Sequence, residues 1–416
     1  MRIVVWGINY PPEVIGIAPL NGALCEYLVE SGHDVTMLTA FPYYPAWRKK
    51  PRDARKLFES ETIKGVHVVR CWHYVPSRTT TLKRVVHELS FAVTSLLKLL
   101  FSHKPDLLLV VSPPLLLGIA ARLACRLRGG RYLIHIQDLQ PDAAIRLGMI
   151  RSKLLIDALH RLEAVAYAGA WRVSAISFGM LEALRKRGVP EGKLLYFPNG
   201  VQLLQGVTVG RFRRLNQFSN DRFLVVYSGN LGVKQGLQTL LDAARNLKDG
   251  PIEVLICGDG PKKDPLLAAA KDLSNVWFKG LLDERTYREM LADADLLVIP
   301  LVAGSGNAFF PYKLLSSCAA GKPVLAICDL DSELAQIVRT NRCGEVVPPG
   351  NAQVLAQMLD ALSNDRARLQ SMGVAAREFA EEFNQKKVLK EFWERLVKAE
   401  DAEFCQRNTN SQRQPG

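Results

Sequence analysis

"LVVYSGNLGVKQGLQTLLDAA" (Leu224–Ala244) is the stretch that decides how this chain reads. An apolar, β-branched run ends at Tyr227, glycines follow at Gly229, Gly232 and Gly236, and leucines then recur at helical spacing. That order spells strand, glycine turn and helix, the opening of an α/β unit. Lys234, inside the turn and just before the helix, is a point charge suited to a phosphate, because helix N-termini present free amide N–H groups to anions. The turn does not supply the G-x-x-x-x-G-K-[ST] spacing of a P-loop. The N-terminus opens in the same way, "IVVWGIN" (Ile3–Asn9) against "LVVYSGN" (Leu224–Asn230), so the chain reads as two units of similar build.

Working outward, short apolar strands alternate with helical periodicity, the mark of parallel α/β sheets. Strands are expected near Arg2–Trp6, Asp34–Thr39, Val66–Arg70, Leu107–Val111, Tyr132–Ile136, Trp171–Ile176 and Lys193–Phe197. A less apolar stretch, "QLLQGVTVGRFRRLNQFSND" (Gln202–Asp221), interrupts them. The pattern restarts at Phe223–Tyr227, Ile252–Cys257, Val276–Lys279, Leu296–Ile299, Pro323–Ile327 and Gly344–Val347. The expected organisation is two Rossmann-like, doubly wound domains over 1–204 and 205–384. A helix over 385–400 is expected to pack back on the first domain, followed by a disordered polar tail over 401–416. Ligands of open parallel sheets bind beyond the strands' carboxyl ends, which predicts a cleft between the two domains.

Composition narrows the class. The 416 residues exceed one ordinary core, and 48% hydrophobic with 23% charged residues is a globular profile. A formal charge of +13 asks for an anionic partner: a phosphorylated substrate, a membrane surface or nucleic acid. No helix-turn-helix, RRM or finger pattern supports nucleic acid. No signal peptide or bilayer-long apolar run is present, and the most apolar segment is broken by Pro113 and Pro114. The eight cysteines form no CxxC or Cys/His cluster, which reads as reduced, buried thiols of a cytosolic protein and gives no metal site. Asp293-x-Asp295 reads as a helix cap and strand start, and Asp329-x-Asp331 as the opening of a helix at Ser332, so neither is taken as a metal-binding DxD.

Other segments carry candidate chemistry. Gly16 precedes the first helix, where backbone amides can approach a ligand; a plain tight turn fits equally well. Gly258-x-Gly260 follows a strand but lacks the third glycine of a dinucleotide fingerprint, leaving a ligand-facing turn. His135, Gln137 and Asp138 close a strand, with His135 and Gln137 on one face. In "NAFFPYKLLSSCAAGKPVLA" (Asn307–Ala326), Pro311 starts a helix, Lys313 lies in its first turn and Gly321 ends it, beside a loop holding Gly304 and Gly306. Finally, Leu82, Val85, Val86, Leu89, Ala92, Val93, Leu96 and Leu100 recur at helical spacing. Lys83, Arg84, His87, Thr94 and Lys98 fall opposite, and "WRKKPRDARK" precedes the segment. This face suits either a core or an anionic membrane interface.

Taken in order and spacing, these segments resemble the family 4 retaining glycosyltransferases of GT-B fold over about residues 1–395. "FPYYP" (Phe41–Pro45) and "SRTTTLKRVVHELSFAV" (Ser77–Val93) are similar to exopolysaccharide enzymes of the colanic-acid and O-antigen type. The resemblance implies a nucleotide-sugar donor held by the second domain and an acceptor held by the first. The acceptor is expected to be polyprenyl-diphosphate-linked or an oligosaccharide, met at the anionic inner face of the plasma membrane. It also implies retention and no metal or other cofactor. Carried over position by position, the donor residues are Gly16, Gly229, Asn230, Lys234, Gly258, Gly260, Pro311, Lys313 and Ser316, and the catalytic set is Asp138, Gln137 and Lys234. The chain departs from the family at four positions: Asn230 stands for an arginine, Ala308 and Ser316 for the two acids of E-x7-E, and Gln137 for a histidine. Lys313 with Lys234 is expected to replace the charge missing at Asn230. The alternatives are a non-catalytic GT-B scaffold or a nucleotide-sugar 2-epimerase, which would need cleft carboxylates that the matched positions lack.

Overall fold

A parallel strand covered on both faces has no side to leave polar, so it reads as an unbroken apolar run. "LLLVVS" (Leu107–Ser112) is such a run and is buried at every position. The computed structural model describes residues 1–14, 16–78, 80–140, 152–304 and 312–411. These divide into two units: the described residues of 1–200 with 385–411, and 201–384.

In the first unit the strands are β1 (Arg2–Trp6), β2 (Asp34–Ala40), β3 (Phe58–Ile63), β4 (Val66–Cys71), β5 (Leu107–Ser112), β6 (Tyr132–Ile136), β7 (Arg172–Ala175) and β8 (Leu194–Tyr196). They lie in the order β3-β4-β2-β1-β5-β6-β7-β8, parallel except for β3, which runs antiparallel to β4. The sequence reading passes over β3, because "FESETI" is a polar, largely exposed edge strand without an apolar face. Its visible signal is the turn that follows, where Lys64 and Gly65 both take positive φ, as a tight hairpin requires. The second unit holds β9 (Phe223–Ser228), β10 (Ile252–Cys257), β11 (Val276–Lys279), β12 (Leu296–Pro300), β13 (Val324–Ile327) and β14 (Gly344–Val347). Their order is β11-β10-β9-β12-β13-β14, all parallel. Counted within the unit this is 3-2-1-4-5-6, the doubly wound order whose switch point lies between the first and fourth strands.

The division between units falls after Gly200, not after residue 204, because Val201 is fixed to the second unit by its amide bond to the Phe383 carbonyl. The last helix, Gln385–Ser411, belongs to the first unit, where Phe392 stacks on Phe197 at 3.7 Å and Trp393 lies against His33. It runs past residue 400 through 411, a segment expected to be disordered.

The amphipathic helix forms over Thr81–Leu100, capped by the Thr80 hydroxyl, but it faces the other way from its apolar count. Its inner face is His87, Phe91, Ala92, Ser95 and Leu99. Ser95 and one nitrogen of His87 are paired there: the Trp6 indole N–H donates to Ser95 Oγ at 3.0 Å, and His87 Nδ1 meets the Tyr74 carbonyl at 2.6 Å. Thr94, which falls opposite the apolar residues, donates to the Trp72 carbonyl. The stripe Leu82, Val85, Val86, Leu89, Val93 and Leu97 is exposed instead, Leu82 at 73%, and Phe101 beyond the helix at 89%. Among the described residues no helix is long and apolar enough to cross a membrane.

Candidate functional site

The switch point of the second unit gathers most of the residues singled out from the sequence. β9 ends at Ser228, and the turn after it is stitched to the neighbouring turn: Gly229 N–H donates to the Cys257 carbonyl and Leu231 N–H to that of Asp259. On its other side, Val302 N–H donates to the Lys234 carbonyl, which ties the turn to the chain leaving β12. This close approach explains the glycines. A Cβ on Gly258 would sit 1.8 Å from the Gly229 carbonyl oxygen, and one on Gly260 would press on Leu231 and on the Asn230 side chain. Gly229 takes φ +144°, and a Cβ there would overlap Lys313 at 2.3–2.4 Å.

Lys313 reaches this point from the helix Tyr312–Ala319. That helix is held from behind by the helix Arg366–Glu382, whose Arg377 donates to the Ala319 carbonyl at its far end. Half-buried, the Lys313 ammonium donates to the Tyr227 hydroxyl at 2.6 Å and lies 3.9 Å from the centre of the Tyr227 ring. The pocket around it is lined by Val226, Ser228, Tyr287, Leu291, Leu297, Val298, Ser316 and Ser317, with no carboxylate among them. Burial, and secondarily the charge of Lys234, bring the Lys313 pKa down to about 7. Burial pushes the Tyr227 phenol up, so it stays protonated and donates to the Asn230 carbonyl at 2.6 Å. The Ser316 hydroxyl donates to the Lys313 carbonyl and accepts from Tyr287, so its single proton is used within the unit.

Gly229, Asn230, Lys234, Gly258, Gly260, Lys313 and Ser316 are therefore brought to the carboxyl end of one sheet. Pro311 and Ala308 lie outside the described residues. Gly16, exposed at φ +70°, belongs to the first unit, as do Gln137 and Asp138. Sequence reasoning missed Tyr227 and Tyr287. For Tyr227 the signal was available: a tyrosine, with its hydroxyl, follows the apolar run "FLVV" just before the glycine turn.

In the first unit, the end of β6 carries a closed network. Gln137, 6% exposed, donates through Nε2 to Asn199 Oδ1 at 2.8 Å and meets His135 Nε2 at 2.9 Å. Asn199 Nδ2 returns a bond to Gln137 Oε1 at 2.9 Å. An amide nitrogen only donates, so His135 Nε2 accepts and its Nδ1–H donates to Ser174 Oγ at 3.0 Å. Burial holds this imidazole down at about 3, so it stays neutral. Asp138 sits half-buried at the rim beside Gln137. Three of the four aspartates of the two DxD segments make structural bonds. Asp293 accepts from the Gly210 and Arg213 amides, Asp295 pairs with Arg213, and Asp329 accepts from Gly304 N–H.

Two α/β units, each built on a largely parallel sheet with polar groups at the carboxyl ends of its strands, match the GT-B architecture. Sucrose-phosphate synthase of Thermosynechococcus elongatus superposes with a TM-score of 0.77 at 19% identity, over 96% of this chain and 99% of that one. Anabaena HepE, solved in complex with UDP-glucose, superposes at 0.69 and 15% identity, over 96% and 100%. Residues 16–200 match the glycosyl transferase 4-like domain, and residues 222–365 match the glycosyl transferases group 1 domain. The putative colanic acid biosynthesis glycosyl transferase WcaI of Escherichia coli K12 is 31% identical over 408 residues, 94% of this chain and 98% of that relative. The chain belongs to this family: it is a glycosyltransferase of the family 4, GT-B kind, similar to exopolysaccharide enzymes.

Proposed function

We propose that this enzyme transfers a hexosyl residue, with retention, from a nucleoside-diphosphate sugar bound by the second unit to a lipid-linked acceptor in exopolysaccharide or O-antigen assembly. The observation that carries the reading is Lys313, a half-buried ammonium at the switch point whose lining residues hold no carboxylate. Among the described residues that line the pocket none offers this cation a counter-charge, and a leaving diphosphate would supply one. Negative charge grows on it as the glycosidic bond breaks, and a fixed cation in a partly dry site stabilises that charge more than bulk water does. Lys313 and Lys234 supply the positive charge in place of a metal. The complex of HepE with UDP-glucose agrees with a donor of this class.

The reading of retention at the anomeric carbon rests on the resemblance of the motifs to family 4 enzymes. Docking at an anionic bilayer is supported by the exposed stripe on Thr81–Leu100. The neighbouring helices Leu116–Arg128 and Lys153–Gly169 continue it with exposed Leu127 and Leu154, and Arg84, Arg126 and Lys153 supply exposed positive charge. The test is a calorimetric panel of UDP-, GDP- and dTDP-sugars against the wild-type protein and Lys313→Ala. One nucleotide class is expected to bind, and the variant to lose roughly 10–100-fold in affinity, the worth of a charged hydrogen bond. Absence of binding by every donor would leave the non-catalytic scaffold standing instead.

A further inference from the structure

The hydroxyl of Tyr227 has no role in the core that surrounds it. The residue is wholly buried in the hydrophobic cluster of β9, β10 and their covering helices, where a phenylalanine ring would fill the same space. Burying a hydroxyl costs free energy unless its bonds are made, and here both go to the candidate donor site. One is accepted from Lys313 Nζ and one is given to the Asn230 carbonyl, each at 2.6 Å. Through this single atom the lysine of one connection is joined to the glycine turn of another. Gly229 leaves the space in which the lysine lies.

We propose that Tyr227 is a positioning residue for donor binding: its hydroxyl holds Lys313 against the Gly229–Asn230 turn, so that the ammonium is aimed at the diphosphate before the donor arrives. The proposal rests on the donor reading of the second unit. The hydroxyl oxygen also favours the charged form of the lysine, which burial and Lys234 disfavour. Of the other titratable groups, Tyr287 lines the same pocket from an adjoining helix, and Tyr312 precedes Lys313 on its own helix. Burial raises both phenols, so they remain neutral through the pH range in which Lys313 changes charge.

The test compares wild type, Tyr227→Phe and Lys313→Met, using UDP, GDP and dTDP as probes over pH 6 to 9. Tyr227→Phe keeps the ring and its face toward the ammonium. It is expected to melt within a few degrees of wild type, to bind the preferred nucleotide about tenfold more weakly at pH 7, and to lose affinity at a lower pH than wild type. Carbon NMR of lysine-labelled protein reads the Lys313 midpoint in the unliganded state, and that midpoint is expected to fall in Tyr227→Phe. Wild-type affinity and an unmoved midpoint in Tyr227→Phe, while Lys313→Met loses binding, would overturn the positioning role and leave the donor reading intact. Wild-type binding by Lys313→Met, or no binding by any protein, would overturn both.

Discussion

At the end of β6, Gln137, Asn199 and His135 consume one another's hydrogen bonds; at the end of β9, Lys313 keeps a charge that the lining of its pocket does not answer. Both clusters occupy the carboxyl edge of a doubly wound sheet, and both are built from polar residues that close a strand or follow one. The first is satisfied internally: a neutral imidazole, two amides and a serine account for each other. The second is satisfied only in part, by a phenol and an aromatic ring. A saturated network rigidifies its surroundings, whereas an unanswered cation waits for a ligand. Two of the four departures from the family pattern thus have different consequences. Gln137, in place of a histidine, is spent inside the first unit, and Lys313 gives the second unit a cation near the position where Asn230 replaces an arginine.

The strongest way to break this contrast is at Gly229. A Gly229→Ala side chain would overlap Lys313 and strain a backbone at φ +144°. We expect a stability loss of about 1–3 kcal/mol together with weakened nucleotide binding, read by thermal melting and calorimetry on one sample. An alanine variant that melts and binds as wild type would contradict the packing described for this turn. In the first unit, Gln137→Ala leaves the Asn199 amide unpaired and buried, at a cost of about 1–3 kcal/mol. The melting temperature is expected to fall while nucleotide affinity stays unchanged; an equal loss of affinity would mean the two clusters are not independent. The smallest effect is expected at the membrane face. Leu82→Glu with Val86→Glu is expected to reduce sedimentation with anionic vesicles several-fold, at about 0.5 kcal/mol per partly inserted side chain, without changing nucleotide affinity. Unaltered sedimentation would remove that helix from the bilayer contact.

Much of this was legible in the sequence, for physical reasons. Strands such as Ile252–Cys257 are buried through the middle of a parallel sheet, so their apolar runs announce them. The glycines after β9 and β10 were visible as turns, and Lys313 as a charge near them. Three things were not legible. The edge strand Phe58–Ile63 carries no apolar face to read. The orientation of Thr81–Leu100 follows from buried partners, Trp6 for Ser95 and Tyr74 for His87, which periodicity does not contain. Whether Gln137 faces a ligand or Asn199 depends on a contact across 62 positions of sequence, which strand alternation alone does not supply.

The central claim is that Lys313 receives the donor diphosphate, and its titration tests this most directly. The unliganded lysine has a pKa of about 7, so it is charged below that pH and largely neutral at pH 8. A bound diphosphate favours the charged form and raises the pKa, so binding at pH 8 must take up a proton, and affinity must weaken as pH rises past 7. Calorimetry of nucleotide-sugar binding in buffers of different ionisation enthalpy counts that proton. We predict uptake of most of a proton at pH 8, of little at pH 6, and none in Lys313→Met. Tight binding at pH 8 without proton uptake, or the same uptake in Lys313→Met, would contradict the account.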